Sequence, residues 1–303
     1  MRSEGDALPI EWRRLLRWTN PRLRELERRY SAFGGAAVVD AVWAPEFVAS
    51  IDLRRFRDDG PFVWQKATPN LDEAALRASF EFLRSEAPAA ELLARLDEDG
   101  AFGARTVSIE GRRVSRDLLD SVSELSFLER HLGLARGAVG NVIDVGAGYG
   151  RLAHRATRAF PKVRWHSTDA IAASTFLSEI YLAFRAVAKQ APVVPLDELD
   201  AALARERFEL AVNVHSFSEC TPAAIDWWLA RLAAAGVAKL FLAPNAVSAD
   251  GREPLTNRGE SMAPALALHG WTLGGVEPKY ADPETQRRGL SPTAYFLYFS
   301  ERG

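Results

Sequence analysis

The run Asn141-Val-Ile-Asp-Val-Gly-Ala-Gly-Tyr-Gly-Arg151 decides how this chain is read. NVIDV is short, apolar and β-branched, the pattern of a buried strand. Gly146, Gly148 and Gly150 then let the backbone turn sharply and approach a ligand closely. RLAHRATRAF continues with helical periodicity, so unpaired N–H groups of a helix start lie beside the turn. Downstream the same grammar repeats. VRWHSTD, PVVPL, FELAVNVH and KLFLAPN are strand-like, and AASTFLSEIYLAFRAVA, ELDAALARER and PAAIDWWLARLAAAG between them are helical. Strands separated by helices of this length predict a parallel sheet with right-handed crossovers. GWTLGGVE and TAYFLYFS close the chain as two strands without a long helix after them, which predicts an antiparallel hairpin at the sheet edge.

Upstream of about residue 138 the grammar is different. Glu11 to Arg29 is Arg-rich with apolar residues at helical spacing, interrupted by Pro21. Leu71 to Arg84 and Ala89 to Leu96 have helical composition. Phe102 to Arg113 reads as a short hairpin turning at Glu110-Gly111, and Ser115 to Leu132 as a helix with one apolar face. The expected architecture is therefore α/β, with a mainly helical part over 1–138 and the sheet domain over 139–303.

With 303 residues, 48% hydrophobic and 26% charged, the chain can bury a large core, which excludes a disordered, collagenous or disulfide-rich protein. Its 38 basic and 40 acidic residues leave a net charge of −2, so no overall field draws it to nucleic acid or to an anionic membrane. Neither is an expected partner. The single cysteine, Cys220, precludes an intramolecular disulfide and any cysteine-based metal cluster. The start MRSEGDALPIEWRRLLRW is too charged for a secretion signal, and no apolar run would span a bilayer, so a cytoplasmic, unanchored protein is expected.

The glycine turn admits two nucleotide-type ligands. A dinucleotide needs G-x-G-x-x-G, and counting from Gly146 puts Arg151 at the last glycine position. The spacing present, Asp144-x-Gly146-x-Gly148-x-Gly150, resembles motif I of class I S-adenosylmethionine-dependent methyltransferases. Asp169 follows Gly150 by nineteen positions at the end of the next strand, where nucleotide-binding folds place a carboxylate for the ribose hydroxyls. Read alone, Asp169 is as good a helix cap. GAGYGR together with Asn213-Val-His-Ser-Phe-Ser-Glu219, in a match from about Ser115 to Asn245, is similar to the sugar O-methyltransferases of actinobacterial natural-product and polysaccharide clusters. A mycobacterial enzyme that caps methylated mannosides is among their number.

That resemblance implies a Rossmann-like class I methyltransferase sheet with an N-terminal helical cap, and S-adenosylmethionine held by Asp144, Gly146, Ala147, Gly148, Gly150, Asp169, Ala170 and Asn213, with Leu196 and Asp197 bordering the adenine. It also implies that the end of the fourth strand faces the transferred methyl. A sugar hydroxyl is a very weak acid and needs a base in the transition state. His215 sits at that strand end and suits the task near neutral pH, with Glu219 as its orienting carboxylate. His131, His154, His166 and His269 read as structural, and for His215 a strand-ending hydrogen bonder is the competing role. Tyr149, Arg151, Asn245 and the loop residues Trp64, Gln65 and Lys66 are the acceptor-binding candidates, with Tyr30 and Trp43 as further aromatic ones, although aromatics at such positions are more often core.

A magnesium ion is a further candidate cofactor, with Glu219, Asp226 and Asn245 as conceivable ligands, but spacing secures no carboxylate cluster. A homodimer is a candidate assembly. Two alternatives to a sugar acceptor stay open: methyl transfer to a nonsugar natural product or RNA, and a noncatalytic cofactor-binding module.

Overall fold

The structure is a computed structural model that describes residues 8–33, 43–58 and 72–301. The N-terminal part supplies α1 (Ile10–Leu15), α2 (Pro21–Phe33), α3 (Pro45–Ala49), α4 (Glu73–Ser85) and α5 (Ala89–Arg95). A hairpin of β1 (Val107–Ile109) and β2 (Arg112–Val114) and the long helix α6 (Arg116–Leu132) follow. Pro21 does not interrupt a helix. It opens α2, where its missing N–H costs nothing. The hairpin turns where expected, with Glu110 and Gly111 at φ +51° and +78°. Ser115 caps α6 by accepting from the Leu118 N–H, and Gly133 ends it in the left-handed region.

The second part runs β3 (Asn141–Val145), α7 (Arg151–Ala159), β4 (Arg164–Thr168), α8 (Ala172–Phe184), α9 (Leu199–Arg205) and β5 (Leu210–Val214). It continues with α10 (Ser216–Glu219), α11 (Pro222–Ala234), β6 (Lys239–Ala243), the two-residue strands β7 (Ala246–Val247) and β8 (Pro254–Leu255), α12 (Ala263–Leu268), β9 (Trp271–Pro278), α13 (Pro283–Arg288) and β10 (Ala294–Ser300). The main sheet has the order β4-β3-β5-β6-β10-β9. Pairs among β4, β3, β5 and β6 are parallel, and β10 is antiparallel to both neighbours. This is the expected Rossmann-like α/β sheet with a closing antiparallel hairpin.

One expected strand is missing. PVVPL makes only an isolated parallel bridge, Val193 with Ser167, outside β4. Pro192 and Pro195 have no N–H to give a ladder, so the segment can accept from Ser167 and donate from Val194 without extending into a strand.

Alternate side chains of the central strands serve two cores. Val142, Leu210, Val212 and Phe241 join a cluster with Leu23, Leu26, Leu76, Leu118, Leu125 and Trp165, so α2, α4 and α6 pack on one sheet face as part of its core. Ile143, Ala211, Leu240 and Leu242 face Leu203, Trp228, Leu229 and Leu266 on the other. Among the described residues no helix is long and apolar enough to cross a membrane.

Candidate active site

The carboxyl ends of β3 and β5 open onto one cavity. The Gly146 and Ala147 N–H groups both donate to the Thr168 carbonyl, at 2.9 and 3.1 Å, which binds the glycine turn to the end of β4. Gly146 has φ +70°, and a Cβ there would lie 2.1 Å from Ser216 Oγ, so the turn and the β5 end close against each other only with glycine. Asp169 accepts from the Gly148 N–H at 2.9 Å and the Ile171 N–H at 2.8 Å, bracing the turn, and burial pushes its carboxyl up to about 6. Asp144 accepts from the Trp165 indole at 3.0 Å and is pushed up by burial to about 7. Asp169 thus orders the loop and lines the cavity, but it does not cap α8, whose N-cap position is Ile171 without a side-chain bond.

His215 stands at the cavity wall directly after β5. Its φ of +66° is costly for a residue with a Cβ, and the main chain holds it there through its N–H to the Ala243 carbonyl at 2.8 Å. The ring Nδ1 is buried with no hydrogen-bond partner. Burial drives the imidazole down to about 4, so it is neutral at physiological pH with a nitrogen lone pair or N–H unspent. The remaining histidines all have structural surroundings. His131 meets Glu277 at 2.8 Å, His154 meets Tyr181 at 3.1 Å, His269 meets Asp226 at 2.8 Å, and His166 lies 3.3 Å from Glu206 inside β4.

Glu219 also lines the cavity, but its carboxylate accepts from the Trp43 indole at 2.6 Å, and it makes no hydrogen bond to the unpartnered His215 Nδ1. Tyr149 and Arg151 line it too. Each is tied to α6: the Tyr149 hydroxyl donates to Asp117, and Arg151 forks onto Glu124 with two bonds of 2.9 Å while also donating to Ser121 at 2.8 Å.

Helix α6 is the part of the site that sequence reading passed over. Asp117, Asp120, Ser121 and Glu124 recur at i, i+3, i+4 and i+7, a polar stripe on a helix buried on nearly every side. Asp117 and Asp120 face the cavity, and Ser121 and Glu124 hold Arg151. The stripe was visible in SRDLLDSVSELSF, since acids at helical spacing opposite an apolar face are expensive to bury without a task.

Other expected residues lie elsewhere. Asn213 spends its amide on the Val145 carbonyl and the Phe217 N–H, at 2.8 and 2.9 Å, and fastens β3 to the His215 turn without lining the cavity. Ala170 packs toward the second core. Leu196 and Asp197 are tied to α2, Leu196 buried and Asp197 exposed: the Leu196 N–H donates to the Tyr30 hydroxyl at 2.8 Å, and Arg29 forks onto Asp197 at 2.8 Å. Asn245 is exposed and bonded to Asn257 at 3.3 Å. Trp64, Gln65 and Lys66 lie outside the described residues. The magnesium ligands do not assemble. Asp226 turns to His269, Asn245 to Asn257 and Glu219 to Trp43, and among the described residues no cluster of three metal-binding side chains occurs.

No family model and no curated protein matches the sequence. Among solved structures, the chain is similar to the pyocyanin biosynthetic protein PhzM, with 19% identity, 75% of this chain and 73% of that one covered, and a TM-score of 0.44. It is also similar to StiE O-MT residues 961–1257, with 13% identity, coverage of 65% and 79%, and a TM-score of 0.44. A third is magnesium protoporphyrin IX methyltransferase (ChlM) from Synechocystis PCC 6803 with bound SAM, at 11% identity, 78% and 100% coverage and a TM-score of 0.42. Such likenesses concern the arrangement of strands and helices, and nothing about chemistry follows from them.

Proposed function

We propose that this chain transfers the methyl group of S-adenosylmethionine to a hydroxyl oxygen of a sugar or oligosaccharide, with His215 as general base. The observation that carries the reading is the meeting, in one cavity, of the glycine turn, the Asp169 carboxylate and a buried, neutral His215 whose Nδ1 has no partner.

The residues present fit the cofactor. The turn Gly146 to Gly148 leaves no side chains between the backbone and the cavity except the Ala147 methyl, and Asp169 keeps lone pairs for ribose hydroxyls beyond its two backbone bonds. Asp144 and Asp169 supply negative charge to a cationic ligand. When bound, S-adenosylmethionine supplies an activated methyl: the acceptor oxygen forms its bond to carbon as the carbon–sulfur bond breaks, leaving a neutral thioether. His215 takes the hydroxyl proton, so one positive charge disappears from sulfur as one appears on the imidazole. The protein's task is to align the oxygen and hold that proton.

The walls favour a neutral acceptor. Asp117, Asp120 and Glu219 face the acceptor side, while Arg151 is already claimed by Glu124. Asp117 is itself paired with Arg57 and Asp120 with Lys279, so these charges are balanced in pairs and Arg151 is not left over for a phosphate or carboxylate, which argues against an RNA substrate. Hydroxyl groups can donate to these acids, which supports a polyhydroxylated acceptor. Labelled methyl transfer to a panel of sugars, oligosaccharides and nonsugar alcohols tests the proposal. Transfer to sugars is expected. Transfer only to nonsugar alcohols removes the sugar, and binding without transfer removes the enzyme.

Two pH effects follow. With cofactor saturating, kcat/KM should be nearly as high at pH 5.5 as at pH 7, because His215 is protonated only near pH 4. An imidazole with the ordinary value of about 6.5 would lose about tenfold over that interval. Cofactor binding should release protons at pH 6.5, because Asp144 and Asp169, raised to about 7 and about 6 in the free protein, ionise beside a cation. Calorimetry in buffers of different ionisation enthalpy measures this, with release expected to fade by about pH 8.5 and to be smaller for S-adenosylhomocysteine, which lacks the sulfonium charge.

A further inference from the structure

We propose that Trp43, pinned by Glu219, is the platform on which the acceptor ring lies, and that it selects a cyclic, polyhydroxylated acceptor over an acyclic polyol or a flat aromatic alcohol. This rests on the proposed transfer to a sugar hydroxyl and assigns the residue that recognises the sugar ring.

Among the described residues, two aromatic side chains with six-membered rings line the cavity, Trp43 and Tyr149. Tyr149 is spent on the core. It is 2% exposed, Phe56 and Tyr181 pack against it with ring centroids at 5.0 and 5.1 Å, and its hydroxyl donates to Asp117. Trp43 is only half-buried, so its ring keeps surface to offer a ligand. It enters just before α3, whereas the other lining residues come from α6 and from the strand ends and helix starts of the sheet domain. Its indole N–H donates to Glu219 Oε2 at 2.6 Å, and Phe47 packs edge-on against it at 5.8 Å and 79°. Glu219 is buried at the end of α10, the single turn that His215 opens. The bond therefore sets the position of the indole relative to the proposed base.

A pyranose ring matches such a wall because it carries axial C–H groups on its faces and hydroxyls round its rim. An indole is negative over its face and offers a large, rigid apolar surface, so it attracts those C–H groups and takes them out of water. The indole has one N–H and that is committed to Glu219, so Trp43 offers the acceptor a surface and no donor. Hydroxyls on the rim can donate to Asp117 and Asp120, which line the same cavity and are fixed by Arg57 at 2.8 Å and Lys279 at 2.5 Å. An acyclic polyol could make the same hydroxyl contacts, but it has no ring face and loses more conformational freedom on binding. A phenol could stack, but it would cover the acids while giving them few donors. Face and rim are satisfied together by a saturated ring bearing several hydroxyls.

The test reads Trp43 directly, by NMR of the indole N–H groups in protein loaded with S-adenosylhomocysteine, with the resonance assigned from Trp43→Phe. Methyl glucopyranoside, methyl mannopyranoside and methyl galactopyranoside are the ring probes, sorbitol is the acyclic polyol and phenol the flat ring. A saturable shift of the Trp43 signal is expected with at least one pyranoside and with neither sorbitol nor phenol. In Trp43→Leu the Kd of that pyranoside, and its KM in methyl transfer, rises about tenfold or more, while cofactor affinity and most of kcat are kept, as for a contact made equally in the ground and transition states. Trp43→Phe keeps a smaller ring face and loses less. Should Trp43→Leu not fold, the wild-type titration decides. An unmoved Trp43 signal, an equal shift with sorbitol or phenol, or a leucine variant that binds the pyranoside as tightly as the wild type overturns the assignment. The titration needs no turnover. A pyranoside bound at Trp43 without methyl transfer would sink the proposed function and leave the platform standing, and sugar methylation with an unmoved Trp43 signal would do the reverse.

Discussion

His215→Ala will lower kcat for methyl transfer by about 10²–10⁴-fold, or about 3–5 kcal/mol of transition-state stabilisation, while cofactor affinity stays close to that of the wild type. The separation is expected because His215 lies after β5, whereas the groups proposed to face the cofactor lie on the β3 turn and the β4 end, joined to the His215 turn through the β3–β5 ladder, Ser216 and Asn213. The backbone at 215 has φ +66°, so part of any effect of alanine could come from relaxation of the turn. His215→Asn controls for this, since asparagine tolerates positive φ best among residues with a Cβ but is no base near neutral pH. Both variants should bind cofactor and both should fail to turn over. Single-turnover assays at saturating cofactor and acceptor measure the chemical step, and an asparagine variant with most of the wild-type rate would take His215 out of the chemistry.

The β/α alternation was legible because strand and helix periods differ so plainly after Gly137, and the glycine turn because three glycines two apart are hard to explain otherwise. The failed strand at PVVPL is equally physical. Its apolar content satisfied the pattern, but two prolines withdrew the donors a ladder needs. The candidate cavity was legible where its lining comes from local motifs, the glycine turn and the β5 end, and poorly legible where it depends on which distant side chains meet. Nothing near Glu219 in sequence announces Trp43, and nothing near Asp120 announces Lys279, since those pairs are separated by 176 and 159 positions. Glu219, four positions after His215, was the natural choice of partner for it, and the fold turns Glu219 to Trp43 instead.

The same long-range logic fixes where the protein is most sensitive outside the chemistry: Arg57→Leu should cost about 3–5 kcal/mol of stability, the range for removing one partner of a buried ion pair. The Arg57 side chain is fully buried and donates to Glu98 at 2.6 Å, to Asp117 at 2.8 Å and to the Ala101 carbonyl at 3.0 Å. Burial pushes Glu98 up, but Arg57 and Arg155 outweigh it and hold the carboxyl well below the usual range. Losing Arg57 leaves Glu98 with Arg155 at 2.9 Å and Ser115, and leaves Asp117, which also accepts from Tyr149 at the cavity wall, without its cation. The deficit has a pH signature. In the wild type Glu98 is depressed, so its contribution is present above the unfolded value of about 4.3 and is lost as pH falls below it. In Arg57→Leu the folded value rises and that contribution shrinks, so the gap between the two proteins at pH 7 should hold down to about pH 4.3 and be narrower at about pH 3. Denaturant titrations across these pH values measure the gap, and adding Glu98→Leu to Arg57→Leu should cost less than the sum of the two single changes. A deficit below about 1 kcal/mol at pH 7, the scale of an exposed pair, would mean that this network does not anchor the 51–58 segment to α6.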